Sequence, residues 1–198
     1  MAAAGKVCTG FSLPYVAKYA NNDGTISYSS GQKLARGVSV SVAPEVADNN
    51  DFYADNVLAE SVSGTFTGGT VTLTVDGLLP AAEALIFGLG NASTVSGVSA
   101  YAYDDASVPP YVGIGFIARY MSEGATSYKA IMLTKCKFNL PTEAAATQED
   151  QISWQTQDLT AVIMRDDSAD HVWKFVGATE YSSEALAEAD LKKLLGIT

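Results

Sequence analysis

The sequence predicts a mainly β, antiparallel domain carrying two helices, and three observations predict it. Apolar residues recur with a period of two over residues 35–45, 57–67 and 70–76, the signature of strands with one covered and one open face. Turn formers interrupt these runs at short intervals. Helix signals occur in only two places, after Pro80 and after Ser182.

The elements follow in chain order. Over 35–45, Ala35, Gly37, Ser39, Ser41, Ala43 and Glu45 form a small polar face, while Val38, Val40 and Val42 form the core face. Residues 48–56 hold turn formers and acids and read as an exposed loop. Alternation resumes over 57–67, with Leu58, Val62 and Phe66 facing a core and Ser61, Ser63, Thr65 and Thr67 facing away. Gly68-Gly69 reads as a tight hairpin turn, and its partner strand 70–76 sets Val71, Leu73 and Val75 against Thr70, Thr72 and Thr74.

Pro80 suits a first helical position, Ala81 to Leu85 sustain the helix, and Gly88 or Gly90 closes it. Residues 91–110 read as a long loop insertion with a short strand around 98–103. Strands return at 111–120 and 127–139, joined by Ser122-Glu123-Gly124, and 141–150 forms a polar crossover. The last strands are 151–165 and 171–176. A C-terminal helix spans 182–195: Ser182 or Ser183 caps it, Glu184 and Glu188 favour its positive end, and Lys192 and Lys193 favour its negative end. Gly196 stops it, and Leu186, Ala189, Leu191, Leu194 and Leu195 give it an apolar side. There is no short internal repeat, so residues 1–198 read as one domain.

Composition narrows the function. Only 17 % of residues are charged, against about 25 % in an average globular domain. A surface so poor in charge is expected to be hidden in part against other subunits. The net charge is −10 and the isoelectric point is near 4.4, which disfavours tight phosphate binding. No basic amphipathic stretch would hold an anionic membrane, and no apolar run is long enough to span one. Met1 to Lys6 lacks the pattern of a signal peptide, and Cys8 and Cys136 match no disulfide or metal spacing. The chain reads as synthesised in the cytoplasm with reduced thiols.

No catalytic constellation stands out. His171 is the only histidine, and its neighbours Val172 to Val176 mark it as a strand-edge residue. The stretch from Asp48 fails as a calcium loop, because Phe52, Tyr53 and Ala59 stand where ligand, glycine and glutamate are required. Gly88-Leu89-Gly90 follows a helix and lacks a third glycine, and Gly113-Ile114-Gly115 sits within a strand, where glycine marks a bulge or close packing. The acid pairs Asp104-Asp105, Glu149-Asp150 and Asp166-Asp167 are expected in solvated turns. Trp154 and Trp173, on strands, are expected in the core, and both cysteines are expected to be small buried or half-buried apolar groups. No metal and no cofactor is expected, and an enzyme is the least expected class.

Taken together, several pieces resemble the major tail tube proteins of long-tailed, non-contractile bacteriophages. They are Leu34 to Val42, Phe52 to Asn56, Val75 to Pro80, Pro110 to Phe116, Lys137 to Pro141 and Ile152 to Thr156. Their order and spacing carry the resemblance, which runs from about Gly10 to Phe175. The loop insertion 91–110 and the C-terminal helix depart from that pattern.

The resemblance implies a tail-tube-type antiparallel β-sandwich or partial barrel with one flanking helix and a C-terminal helix. It implies hexameric rings that stack into a virion tail tube, with tape measure, terminator and initiator proteins as further partners. Six copies at −10 each carry −60 per ring, so DNA would pass through the lumen without specific binding. The lumen strands expected are 35–45 and 57–67, with Ser39, Ser41, Glu45, Ser61, Ser63 and Thr65 facing it. The loop 47–57 would reach the adjacent ring through Asp48, Asp51, Phe52, Tyr53 and Asp55. Two alternatives share the alternation: a tube protein of a bacterial secretion or contractile injection system, and a solitary β-sandwich decoration protein or adhesin.

Overall fold

The computed structural model describes residues 5–147 and 154–197. One antiparallel sheet dominates it. β1 (Val7–Asn22), β2 (Thr25–Lys33), β3 (Gly37–Val46), β6 (Phe66–Val75), β9 (Val112–Ser122), β10 (Ala125–Phe138) and β11 (Gln157–Met164) lie in the order β2-β1-β9-β10-β11-β6-β3, and β12 (Lys174–Val176) pairs with β10. Two hairpins stand outside this sheet: β4 (Asn50–Ala54) with β5 (Val57–Val62), and β7 (Ser93–Val95) with β8 (Val98–Ala100). Helix α1 spans Pro80–Phe87 and α2 spans Glu184–Leu194.

The sheet folds over on itself. Val16, Val112, Ile114, Leu133, Cys136 and Phe138 of β1, β9 and β10 meet Val71, Leu73, Val75, Leu159, Ala161 and Ile163 of β6 and β11 in one core, which α1 enters through Ala82, Ile86 and Phe87. The curl brings β3 back towards β1, where Phe11, Val40 and Val42 pack against Phe116, Ala118 and Ile131. The result is a β-sandwich with flanking helices, in which β3 approaches β1 without pairing with it. Helix α2 covers the far face of β1, β9 and β10 through Ala187, Leu191 and Leu195. Gly115 allows this close seat, since a Cβ there would lie 2.5 Å from Leu191 Cδ1.

Several sequence expectations hold. The strands at 37–46, 112–122 and 125–138 form, the turn at Glu123-Gly124 takes positive φ, and α1 starts on Pro80 and ends at Gly88 in the left-handed conformation. Gly113 and Gly115 mark close packing, and Trp173 packs against the main core.

Others need correction. Gly68-Gly69 is no turn: β6 runs straight through it, and Gly69 is needed because a Cβ would lie 2.6 Å from the Ala43 carbonyl oxygen. The expected strand 57–67 divides after Val62, and Leu58 and Val62 are exposed because no layer covers the β4–β5 hairpin. The segment 48–56 is therefore mostly a hairpin arm, turned at Asp55-Asn56 with both residues at positive φ. Val38 leaves the core face because the β3–β6 register slips between Gly37 and Ser39, which bulges it outward.

The segment 91–110 contains the β7–β8 hairpin, and its second strand stops at Ala100 rather than Tyr103. β12 begins only at Lys174; His171 lies ahead of it with φ of 51°. Trp154 is 85 % exposed rather than core, and Cys8 is exposed while Cys136 is buried. The buried side of α2 is Ala187, Leu191 and Leu195; Leu186, Ala189 and Leu194 face outward, and Ser183 at the N-cap makes no side-chain cap bond. Asp166 is buried, accepting hydrogen bonds from the Ser168 amide and hydroxyl. Glu149, Asp150, Ile152 and Ser153 lie outside the described residues; of the strand expected over 151–165, residues 154–156 are not in strand and β11 begins only at Gln157. The strands β1 and β2 have no counterpart in the sequence reading.

Candidate functional site

The two outer faces of the sandwich differ. One is covered by α2; the other, over β3, β6 and β11, carries no further layer among the described residues. Because side chains alternate along a strand, register alone decides what lines the bare face. Ser39 stands beside Thr74 and Asp158, Ser41 beside Thr72 and Thr160, and Ala43 beside Thr70 and Val162. Ser39 Oγ donates to Thr74 Oγ1 at 3.0 Å, and Thr74 Oγ1 donates to Asp158 Oδ1 at 2.7 Å. This is a wall of short hydroxyl side chains three strands wide.

Its charge is sparse. Glu45 stands at the upper end of β3 and Asp158 at the lower end of β11, while Lys137 lies on the next strand beside Val162. Lys135, on the same strand, is neutralised by Asp167 at 2.7 Å and lies 4.8 Å from the Tyr111 ring centre and 5.2 Å from that of Tyr19. Lys135 and the Tyr19 hydroxyl hold the Asp167 carboxyl below its ordinary range, and burial helps push the Tyr19 phenol up to about 12. Those groups are spent on one another and offer no free cation.

The wall ends at an edge. β3 pairs on one side with β6 and on its other side with no strand among the described residues. Pro44 fits that position, since it has no amide to donate.

Beyond β3 the chain leaves the sandwich. Every residue from 43 to 63 is exposed. The β4–β5 hairpin presents Phe52 at 63 % exposure and Tyr53 at 62 %, together with Val57 and Leu58. Asp48, Asp51 and Asp55 accompany them, and Ser61 donates a hydrogen bond to Asp51.

The residues expected at a lumen are therefore split. Ser39, Ser41 and Glu45 lie together on β3. Ser61 belongs to the hairpin, and Ser63 and Thr65 lie in the link between the hairpin and β6. The neighbour of β3 is β6, so Thr70, Thr72 and Thr74 complete the face together with Asp158 and Thr160. Their period-two pattern was visible in the sequence; the false turn at Gly68-Gly69 hid the pairing.

At the lower end of the wall, an open groove of 910 Å³ is bordered by Asp76, Glu83, Glu143 and Asp158. The Arg36 guanidinium beside Asp76 keeps that carboxyl below its ordinary range. Among the described residues no three His, Cys, Asp or Glu side chains are grouped to hold a metal ion, and no helix is long and apolar enough to cross a membrane. No protein-family model matches the chain, and no curated protein matches its sequence.

Proposed function

We propose that the chain is a structural subunit that assembles into a tube, in the manner of the major tail tube protein of a long-tailed bacteriophage. The observation that carries this reading is the asymmetry of the sandwich. Among the described residues, one face is sealed by α2, and the opposite face is an uncovered, hydroxyl-lined wall that runs to an unpaired edge at β3. An exposed edge strand invites pairing with another chain, and joining edges in a ring removes the liability.

The accessible surface supports this reading. It amounts to 12,181 Å², against about 9,000 Å² for a compact monomer of this mass. The projecting hairpins contribute to that excess, and subunit contacts would cover it.

In a ring, the Ser/Thr wall would line the lumen. Hydroxyl groups and an occasional carboxylate give phosphates no clustered cations to displace counterions, so DNA would slide along the wall rather than bind. The role is mechanical rather than catalytic and would belong to a virion tail, with tape measure, terminator and initiator proteins at its ends. Negative-stain electron microscopy of the concentrated, purified chain should show hexameric rings or hollow tubes. A monomer at every concentration, absent also from purified virion tails, overturns the reading in favour of a solitary sandwich.

A further inference from the structure

The same strand that leads into the acidic hairpin begins beside a small basic groove. Lys33, Ala35, Arg36, Leu78 and Leu79, with Asp76 and Gly77, line a groove of 440 Å³ at the foot of β3. Its floor is apolar, and Leu79 is 48 % exposed. Its rim is cationic. The Arg36 side chain stays 85 % exposed although it pairs with Asp76, and Lys33 has no ion-pair partner within 4 Å among the described residues. On a chain of net charge −10, Lys33 and Arg36 share this rim with Asp76, which pairs with Arg36, while the Lys33 charge also reaches Glu188.

The hairpin has the opposite composition. Glu45, Asp48, Asp51, Asp55 and Glu60 occur between Ala43 and Gly64 without a single Lys, Arg or His. Among them stand the exposed Phe52, Tyr53, Val57 and Leu58. Aromatic anchors surrounded by carboxylates match an apolar floor with a cationic rim, in the arrangement of an interface hot spot.

Position selects the partner. Groove and hairpin flank opposite ends of β3, whose ten residues span about 30 Å. A second copy displaced along that strand brings the two features together. Such a head-to-tail contact leaves one groove and one hairpin free and repeats without closing.

We propose that the groove at Lys33, Arg36, Leu78 and Leu79 receives the β4–β5 hairpin of a second copy of this chain. The inference rests on the tube reading and names the receptor that its ring-to-ring contact uses. The neighbouring larger groove is excluded by charge: Glu83, Glu143 and Asp158 border it, and they would repel Asp51 and Asp55.

Site-directed cross-linking tests this contact. Two variants in a Cys8→Ser background carry Tyr53→Cys and Leu79→Cys respectively; both positions are exposed, so both variants should fold. Mixed in equal amounts and oxidised with diamide, they should give a disulfide-linked dimer that neither forms alone. Tip-to-tip dimers of the Tyr53→Cys variant alone, or no cross-link in the mixture, overturn the proposal. A second arm reverses charge. Arg36→Glu with Lys33→Glu should lower tube yield at least tenfold, and Asp51→Lys with Asp55→Lys in the same chain should restore it. Tubes that form normally in the double-Glu variant overturn the receptor but leave the tube reading intact. A wild-type chain that stays monomeric and gives no cross-link overturns both.

Discussion

The indole of Trp173 lies flat on the phenyl ring of Phe66, with ring centres 4.5 Å apart and planes 5° from parallel. Phe66 is the first residue of β6, where the chain returns from the hairpin. Trp173 precedes β12, and its carbonyl accepts the Thr134 amide at 3.1 Å. Arg165 adds a clamp by donating to the Phe66 carbonyl and, at 3.3 Å, to Thr65 Oγ1. These contacts tie the root of a fully exposed hairpin to β10 and β11.

Trp173→Ala is therefore expected to cost about 2–4 kcal/mol, part of it packing and part the ring pair itself, worth about 0.5–1.5 kcal/mol. Urea unfolding monitored by circular dichroism measures it. In a double-mutant cycle with Phe66→Ala, the two losses should fall short of additivity by the ring-pair term. Additive losses would mean that the stacking contributes nothing.

Acid should loosen the attachment of the C-terminal segment in a defined window. Glu180 accepts a hydrogen bond from Lys6 Nζ and, at 3.1 Å, from Ser127 Oγ, and pairs with Lys129 at 3.3 Å. Lys6, Lys129 and Ser127 together draw its carboxyl down to about 2. A carboxyl lowered by folding stabilises the fold fully above its unfolded value, about 4.3, and loses that contribution as pH falls towards 2. Glu180→Gln should melt below wild type at pH 7, and the difference should close between pH 4.5 and 2. A gap that persists at pH 2 would assign the effect to packing instead.

Elements with one covered face were legible in the sequence, because alternation reports that situation directly. The Val40 and Val42 face of β3 and the Val71, Leu73 and Val75 face of β6 follow from it, whereas both helices were legible from their start and stop residues, Pro80, Gly88, Ser183 and Gly196. β1 was not legible. Pro14 to Ala17 are buried in succession between the main core and α2, and register slips at Cys8/Gly10, Ser12/Tyr15 and Val16/Lys18 break what period remains. Leu58 and Val62 misled for the converse reason: alternation shows that a strand has two faces, not that a layer of the same chain covers one. The hydroxyl wall was half legible, because each Ser or Thr row reads from its own strand while the register joining them comes only from the fold.

A cation placed on that wall should catch phosphate. In the proposed tube, each Lys would recur once per subunit along the lumen and add a salt-dependent attraction. Ser41→Lys and Thr72→Lys stand side by side in register, and either should slow DNA ejection from assembled tails while assembly continues. The slowing should lessen as ionic strength rises. Wild-type ejection kinetics for both wall variants would remove this face from the lumen.

The hairpin aromatics separate folding from assembly. In a sandwich, an exposed aromatic normally folds back onto its own surface, and Phe52 and Tyr53 would then matter for stability. Here both remain more than 60 % exposed, and neither ring contacts another aromatic among the described residues. Both rings lie mostly in solvent, so Phe52→Ala with Tyr53→Ala should leave the melting temperature of the subunit within about 2 °C of wild type. In an interface, the same truncation commonly costs about 2 kcal/mol or more per anchor. In the proposed tube that loss would recur with every subunit in a ring junction, so growth should stop although each chain is folded. Thermal melting and electron microscopy of one preparation read both effects. Normal tubes would take the hairpin out of the stacking contact, and a collapsed melting temperature would show that the rings serve their own subunit.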